Sequence, residues 1–155
     1  MKPKTVKTYT VDEAKRKLEH YCAYQDRSHY QVEKKLREMR MIPEAIDDIV
    51  LHLMKENFLN EERFARSYVR GKFRMKQWGK QKIVQGLKQQ YIHQNLINKA
   101  LEEIDSEEYL TTIKTLIVKK KREYRTKSAY ELRQKISRYL YQKGYRFDEF
   151  SDWLE

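Results

Sequence analysis

Three helix starts in this chain, at Ser28, Gly79 and Ser128, stand 51 and 49 residues apart. The apolar positions that follow stay in phase: Val32, Ile83 and Leu132, then Leu36, Leu87 and Ile136. A period near fifty residues restricts the fold strongly, because a unit of that size buries only a small core and gains by sharing hydrophobic faces with its copies. The exits repeat as well. From Ser28 to Met41 and from Gly79 to Ile92 is thirteen residues, whereas Ser128 to Tyr145 is seventeen. The difference is about one helical turn, so the middle helix of the third unit is expected to be longer.

Each unit reads as three helices. Gly 4 and Pro 2 in 155 residues leave few tight turns, roughly a third of the usual share of these two breakers. Thr10 with Glu13, Ser28 with Gln31, Asp105 with Glu108 and Ser128 with Glu131 have the spacing at which side chains satisfy the free amides of a helix start. Pro43 suits a first helical turn, Asn60 a cap, and Gly79 opens a further segment. Stripes such as Ile42, Ile46, Ile49, Val50 and Leu53, or Phe64, Ala65, Tyr68, Val69 and Phe73, follow the helical period. The expected fold is all-α: nine helical segments forming three tandem three-helix repeats in an elongated, curved array of right-angled bundles. The repeats are placed at 1–59, with a short N-terminal extension, 60–104 and 105–155.

Thirty-four basic and twenty-three acidic residues give a formal net charge of +11, which favours an anionic partner. Most of the excess lies in the middle unit. Between Arg63 and Leu101 there are ten Lys or Arg residues and no Asp or Glu. At about 100° per residue, Arg63, Arg66, Arg70 and Arg74 fall within an arc of roughly 80°, beside the apolar side of their helix. Lys76, Lys80 and Lys82 extend this ridge, and a second cluster follows at Lys119, Lys120, Lys121, Arg122, Arg125 and Lys127. Arginine forks onto phosphate or carboxylate with paired hydrogen bonds, so these residues are the candidate contacts to nucleic acid or to an acidic protein surface. Trp78 stands between Lys76 and Lys80 at a helix junction, where an indole either stacks on a base or packs against the neighbouring unit; packing is favoured. Tyr21, Tyr24, Tyr30, Tyr124, Tyr130, Tyr139 and Tyr141 are read in the main as core residues with the hydroxyl at the rim.

Catalytic and metal chemistry find little support. Asp48 and His52 stand four apart on one helix but lack a third and fourth ligand, and read as a surface ion pair. His20 and Cys22 point in different directions, which defeats a nucleophile–base pair. The four glycines are too dispersed for a phosphate loop, and a single cysteine forms no internal disulfide. No metal, no cofactor and no enzymatic activity are expected. No apolar run approaches the roughly 18 residues of a membrane span, and Met1-Lys2-Pro3-Lys4 leads into polar sequence, so the expected location is the cytoplasm.

The stretch Leu53-Met-Lys-Glu-Asn-Phe-Leu-Asn-Glu-Glu-Arg-Phe-Ala-Arg-Ser-Tyr-Val-Arg70, followed by Trp78-Gly79, Ile83 and Leu87, resembles the most characteristic segment of the RecX family. Ser28-His-Tyr-Gln-Val-Glu-Lys-Lys-Leu36 is similar to the family's first-unit motif, and a weaker likeness runs from about residue 12 to the end. The chain departs from the family pattern at Asn60, where an aspartate is usual; either residue caps a helix. The resemblance implies three tandem three-helix repeats and a non-enzymatic inhibitor of the RecA recombinase, active in DNA repair, recombination and the SOS response. Such a protein binds in the groove of the RecA–DNA filament and restrains ATP hydrolysis, strand exchange and coprotease activity. The partners implied are the RecA filament and DNA, single- and double-stranded without regard to sequence. The alternative from the charge pattern alone is a helical protein that binds nucleic acid sequence-independently and needs no protein target.

Overall fold

A computed structural model describes residues 7–125 and 128–154. Lys127 and the leading Met1-Lys2-Pro3-Lys4 lie outside them. The described residues form nine α-helices and no strand: α1 (Val11–Tyr24), α2 (His29–Glu38), α3 (Pro43–Lys55), α4 (Glu61–Lys76), α5 (Lys80–Gln89), α6 (Gln94–Ala100), α7 (Ser106–Glu123), α8 (Ala129–Lys143) and α9 (Phe147–Phe150), with 3-10 turns after α6 and α9. The chain is an all-helical array of three-helix repeats.

The helix starts are made by the residues whose spacing suggests them. Thr10 Oγ1 accepts from the Glu13 amide at 3.1 Å and Ser28 Oγ from the Gln31 amide at 3.1 Å, each box closed by the Glu13 or Gln31 side chain. Asn60 accepts from the Arg63 amide, Asp105 from that of Glu108 and Ser128 from that of Glu131. Each cap of this kind contributes about 1 kcal/mol. The ends of the middle helices repeat too: α2, α5 and α8 are followed by Arg40 (φ 61°), Tyr91 (φ 58°) and Gly144 (φ 101°), all left-handed. This is the reversal that lets the last carbonyls of a helix be satisfied, and Met41 and Tyr145 donate to Leu36 and Leu140 in matching bonds. The longer third middle helix is present: α8 has 15 residues against 10 in α2 and in α5.

Two compact units are distinguished, Met1–Ala65 with Gln90–Ile92, and Arg66–Gln89 with His93–Glu155. The first is built on Ala14, Leu18 and Cys22 of α1, Val32 and Leu36 of α2, and Ile46, Ile49 and Leu53 of α3. Ser28, itself fully buried, donates its hydroxyl to Gln90 Oε1 at 2.8 Å, and the Tyr30 and Tyr91 rings meet at 5.1 Å. The second unit buries Val69 and Phe73 of α4, Ile83 and Leu87 of α5, Ile113, Leu116 and Ile117 of α7, and Ile136 and Leu140 of α8. Through its centre runs an aromatic file in which Tyr109 lies 5.8 Å from Phe73 and 5.3 Å from Tyr145. Burial drives both hydroxyls of the pair to higher pKa, so Tyr109 and Tyr145 remain neutral donors.

Within the second unit α5 starts against the end of α8. The Gly79 amide donates to the Lys143 carbonyl at 2.8 Å, and the Gln81 amide to the Gly144 carbonyl at 3.0 Å. The Lys80 amide between them donates to the Tyr109 hydroxyl, which donates in turn to Glu149. At this helix start the Gly79 and Gln81 amides are taken by a second helix's orphan carbonyls, positive dipole end against negative. Backbones this close leave no room for a side chain: a Cβ on Gly79 would overlap the Gly144 carbonyl group and reach 2.6 Å from the Tyr145 nitrogen.

Candidate nucleic-acid interface

The arginines of α4 have acidic neighbours that lie far away in sequence. Arg63 donates through Nε to Asp26 Oδ1 at 2.7 Å and through its terminal nitrogens to the Asn57 side chain and the Asn57 and Phe58 carbonyls. It closes the turn after α3. Arg66 and Arg70 both reach Glu103 Oε1, at 3.2 and 3.1 Å, and Arg66 also faces Glu102 at 4.0 Å. Partial burial would raise the Glu103 carboxyl, but the hydrogen bonds and charge of the two guanidinium groups outweigh it and hold the pKa below the usual carboxylate range. Arg74, one turn further along, is exposed.

The lysines converge instead. Lys143, on the last turn of α8, donates Nζ to the Lys76 carbonyl at 2.8 Å. Its pKa is lowered, first by burial and then by the positive charges of Lys82, Lys119, Lys120 and Lys76. Those four residues come from the end of α4, the start of α5 and the last turns of α7, and the packing of α5 and α7 on α8 brings their charges to bear on Lys143. Two aromatic rings lie within the cluster. Lys72 and Lys82 stand over Trp78 at 4.8 and 4.5 Å from its centroid, and Lys120 stands 4.3 Å from that of Tyr139. Trp78 is half-buried and keeps part of its ring at the surface. Lys120 also has an acidic neighbour, Glu123 at 2.8 Å. Like charges assembled this closely attract phosphate or carboxylate, since an anion relieves their mutual repulsion.

Of the remaining candidates, Lys80 spreads over the Tyr109 ring at 4.7 Å, and Lys121, Arg122 and Arg125 are exposed at the end of α7. Lys119 and Arg122 line a groove of about 650 Å³ along that helix together with Lys114 and Val118. Lys143 and Tyr139 belong to the cluster but carry no local basic-run signal; only the packing of α8 against its neighbours reveals them.

Two sequence expectations are corrected. The carboxylate partner of His52 is Glu19, at 2.9 Å, because α1 packs on α3 and brings Glu19 closer than a side chain one turn away. The tyrosines read as core are not: Tyr24, Tyr130 and Tyr141 are exposed and Tyr21, Tyr30, Tyr124 and Tyr139 are half-buried, while Tyr109 and Tyr145 fill the interior. Several of the outer rings carry cations, as Tyr21 does under Arg27 at 3.7 Å, which lets a large ring remain at the surface. No group of three or more His, Cys, Asp or Glu able to hold a metal occurs among the described residues, and none of their helices is long and apolar enough to cross a membrane.

Helices in repeated triplets, with a lysine cluster on the second unit, define a tandem three-helix-repeat protein with a basic surface. Residues 60–101 match the second three-helix domain of RecX and residues 107–154 its third. Regulatory protein RecX of Bacillus mycoides is 30% identical over 135 residues, covering 87% of this chain and 50% of that protein. Its counterpart in Enterococcus faecalis is 33% identical over 125 residues, covering 81% and 47%. The chain thus spans about half the length of the curated relatives it matches. Among solved structures, the crystal structure of RecX from Lactobacillus salivarius superposes with a TM-score of 0.83 at 25% identity, covering 93% of this chain and 94% of that one. A second crystal structure, of regulatory protein RecX, gives 0.80 at 26% identity, covering 91% and 73%. The chain belongs to the RecX family.

Proposed function

We propose that this protein regulates the RecA recombinase as an inhibitor, lying in the groove of the RecA–DNA filament and restraining ATP hydrolysis, strand exchange and coprotease activity. It does so by binding and not by catalysis, in the cytoplasm. Its three repeats, at 1–59, 60–104 and 105–155, each present helices to the filament. The observation that carries this reading, beside family membership, is the grouping of cations at the α5–α8 junction, where Lys143 Nζ reaches the Lys76 carbonyl at 2.8 Å and Lys72 and Lys82 share the Trp78 ring at 4.8 and 4.5 Å. Arg74, Lys80, Lys121, Arg122 and Arg125 extend the same contact to DNA phosphate or acidic recombinase surface. Arg63, Arg66 and Arg70 serve it by fixing α4, and Trp78 by holding Lys72 and Lys82 in place.

The test is RecA ATPase on single-stranded DNA titrated with the full chain. Inhibition should appear, and K76E/K82E/K119E should weaken it at least about tenfold, or about 1.4 kcal/mol. ATPase that stays unchanged at saturating protein refutes the proposal. The lysine cluster also favours a second reading, sequence-independent nucleic-acid binding without a protein target. On that reading affinity for bare DNA equals affinity for recombinase-coated DNA at matched salt, and falls steeply as salt rises.

A further inference from the structure

Beside the lysine cluster, and sharing Lys82 with it, the second unit has a cleft of about 1080 Å³ between the outer face of α5 and the α8–α9 turn. Its size is at the upper end for small-molecule pockets, roughly 300 to 1,000 Å³, and suits a strand better than a compact ligand. Two rings stand in it largely uncovered, Tyr141 at 76% and Phe147 at 63% exposure. Exposed aromatic rings of this size, grouped in one concavity, mark a contact site. Phe147 is braced from behind by the buried Phe150, whose ring meets it edge-on at 5.5 Å. The intervening Gly144 is held by its left-handed conformation and by the α5 backbone bonded to it, so the spacing between the rings is set by the fold.

The charge of the cleft selects the occupant. Lys82, Lys88 and Arg146 line it; against them, among the described residues, stands the carboxylate of Asp148, which Arg146 already holds at 3.2 Å. Cations next to uncovered rings fit a polymer carrying phosphates and flat apolar faces. Gln81, Gln85 and Gln142 add side chains that both donate and accept at base edges. In a duplex the base faces are already stacked on one another, whereas in a single strand they are available to Tyr and Phe. We infer that this cleft is a single-strand nucleic-acid site, in which Tyr141 and Phe147 stack on unpaired bases and Lys82 and Lys88 receive the adjacent phosphates. The inference deepens the proposed filament contact by giving the strand a specific seat.

The experiment measures fluorescence anisotropy of labelled oligothymidylate and of a duplex of equal length with the full chain at matched salt. Y141A/F147A should lose at least about tenfold in affinity for the single strand and little for the duplex, while Y141W/F147W, which keeps the ring faces, should retain wild-type affinity. K82E/K88E should weaken both and reduce the salt dependence of each. Equal loss on both nucleic acids, no loss with Y141A/F147A, or a Y141A/F147A variant that binds oligothymidylate normally but no longer binds DNA-free recombinase would overturn the inference; the last would assign the cleft to a protein. Circular dichroism of the variants guards against misfolding, to which exposed positions are little prone. RecA ATPase measured on the wild-type chain separates the two claims: single-strand selectivity without inhibition keeps the cleft and refutes the regulatory role, and inhibition without selectivity does the reverse.

Discussion

Replacing Gly79 by alanine adds one methyl group and should unseat a helix. The new carbon would overlap the carbonyl group of Gly144 and come 2.6 Å from the Tyr145 nitrogen, both of them backbone atoms that no rotamer change can move. Relief requires α5 to draw away from α8, which breaks the Gly79-to-Lys143 and Gln81-to-Gly144 hydrogen bonds. Each contributes about 0.5–1.5 kcal/mol net, and more where the carbonyl left behind stays buried. The smaller freedom of the unfolded alanine variant offsets about 0.4–1 kcal/mol. With two vacated carbonyls costing about 1–3 kcal/mol each where they stay buried, the expected net loss is roughly 1–5 kcal/mol. Gly71 provides the control, since it lies in the interior of α4 with open space for 4 Å around the position a Cβ would take. There the same substitution should stabilise by about 0.5–1 kcal/mol through helix propensity. Urea unfolding followed by tryptophan fluorescence is suited to both variants, because Trp78 and Trp153 both belong to the second unit. A G79A midpoint within about 0.5 kcal/mol of wild type, or shifted in the same direction as G71A, would refute the close backbone contact.

Two further outcomes are expected. Glu103 has a lowered pKa in the folded chain, so the stability it contributes is present above its unfolded pKa and is lost as pH falls through the folded value. E103Q should accordingly be less stable than wild type at neutral pH and converge with it in acid; parallel stability curves would count against the Arg66–Glu103–Arg70 arrangement. Burial pushes the Cys22 thiol up to about 11, so near neutral pH it is an uncharged, enclosed group. Iodoacetamide should modify it only as the first unit opens, at a rate that rises with urea, and alkylation of the native chain as fast as free cysteine, read by mass spectrometry, would contradict this placement.

Much of the fold can be read from sequence because its determinants are local. Ser28 with Gln31 and Ser128 with Glu131 act within three residues, and the spacing from Ser128 to Tyr145 reports the added turn of α8 directly. The candidate interface is less legible because its determinants are remote. Asp26 and Arg63 are 37 residues apart, as are Arg66 and Glu103, so a run of cations without nearby acids conceals how firmly three of its arginines are tied into the fold. Lys143 is 67 residues from Lys76 and becomes part of the cluster only through docking. The tyrosines fail for another reason: a helical period places Tyr109 and Tyr139 equally well on an inner stripe, and what separates them is the depth of the surface each one meets. Gly79 is recognisable as a helix start, but the backbone that demands a glycine there lies 65 residues further on.

The start of α5 also bears on synthesis. Its leading amides find acceptors on residues 109, 143 and 144, so while a nascent chain is still emerging from the ribosome this helix has no tertiary partner at its front end. The middle repeat is completed retroactively, when α8 leaves the exit tunnel and folds back to supply the missing carbonyls.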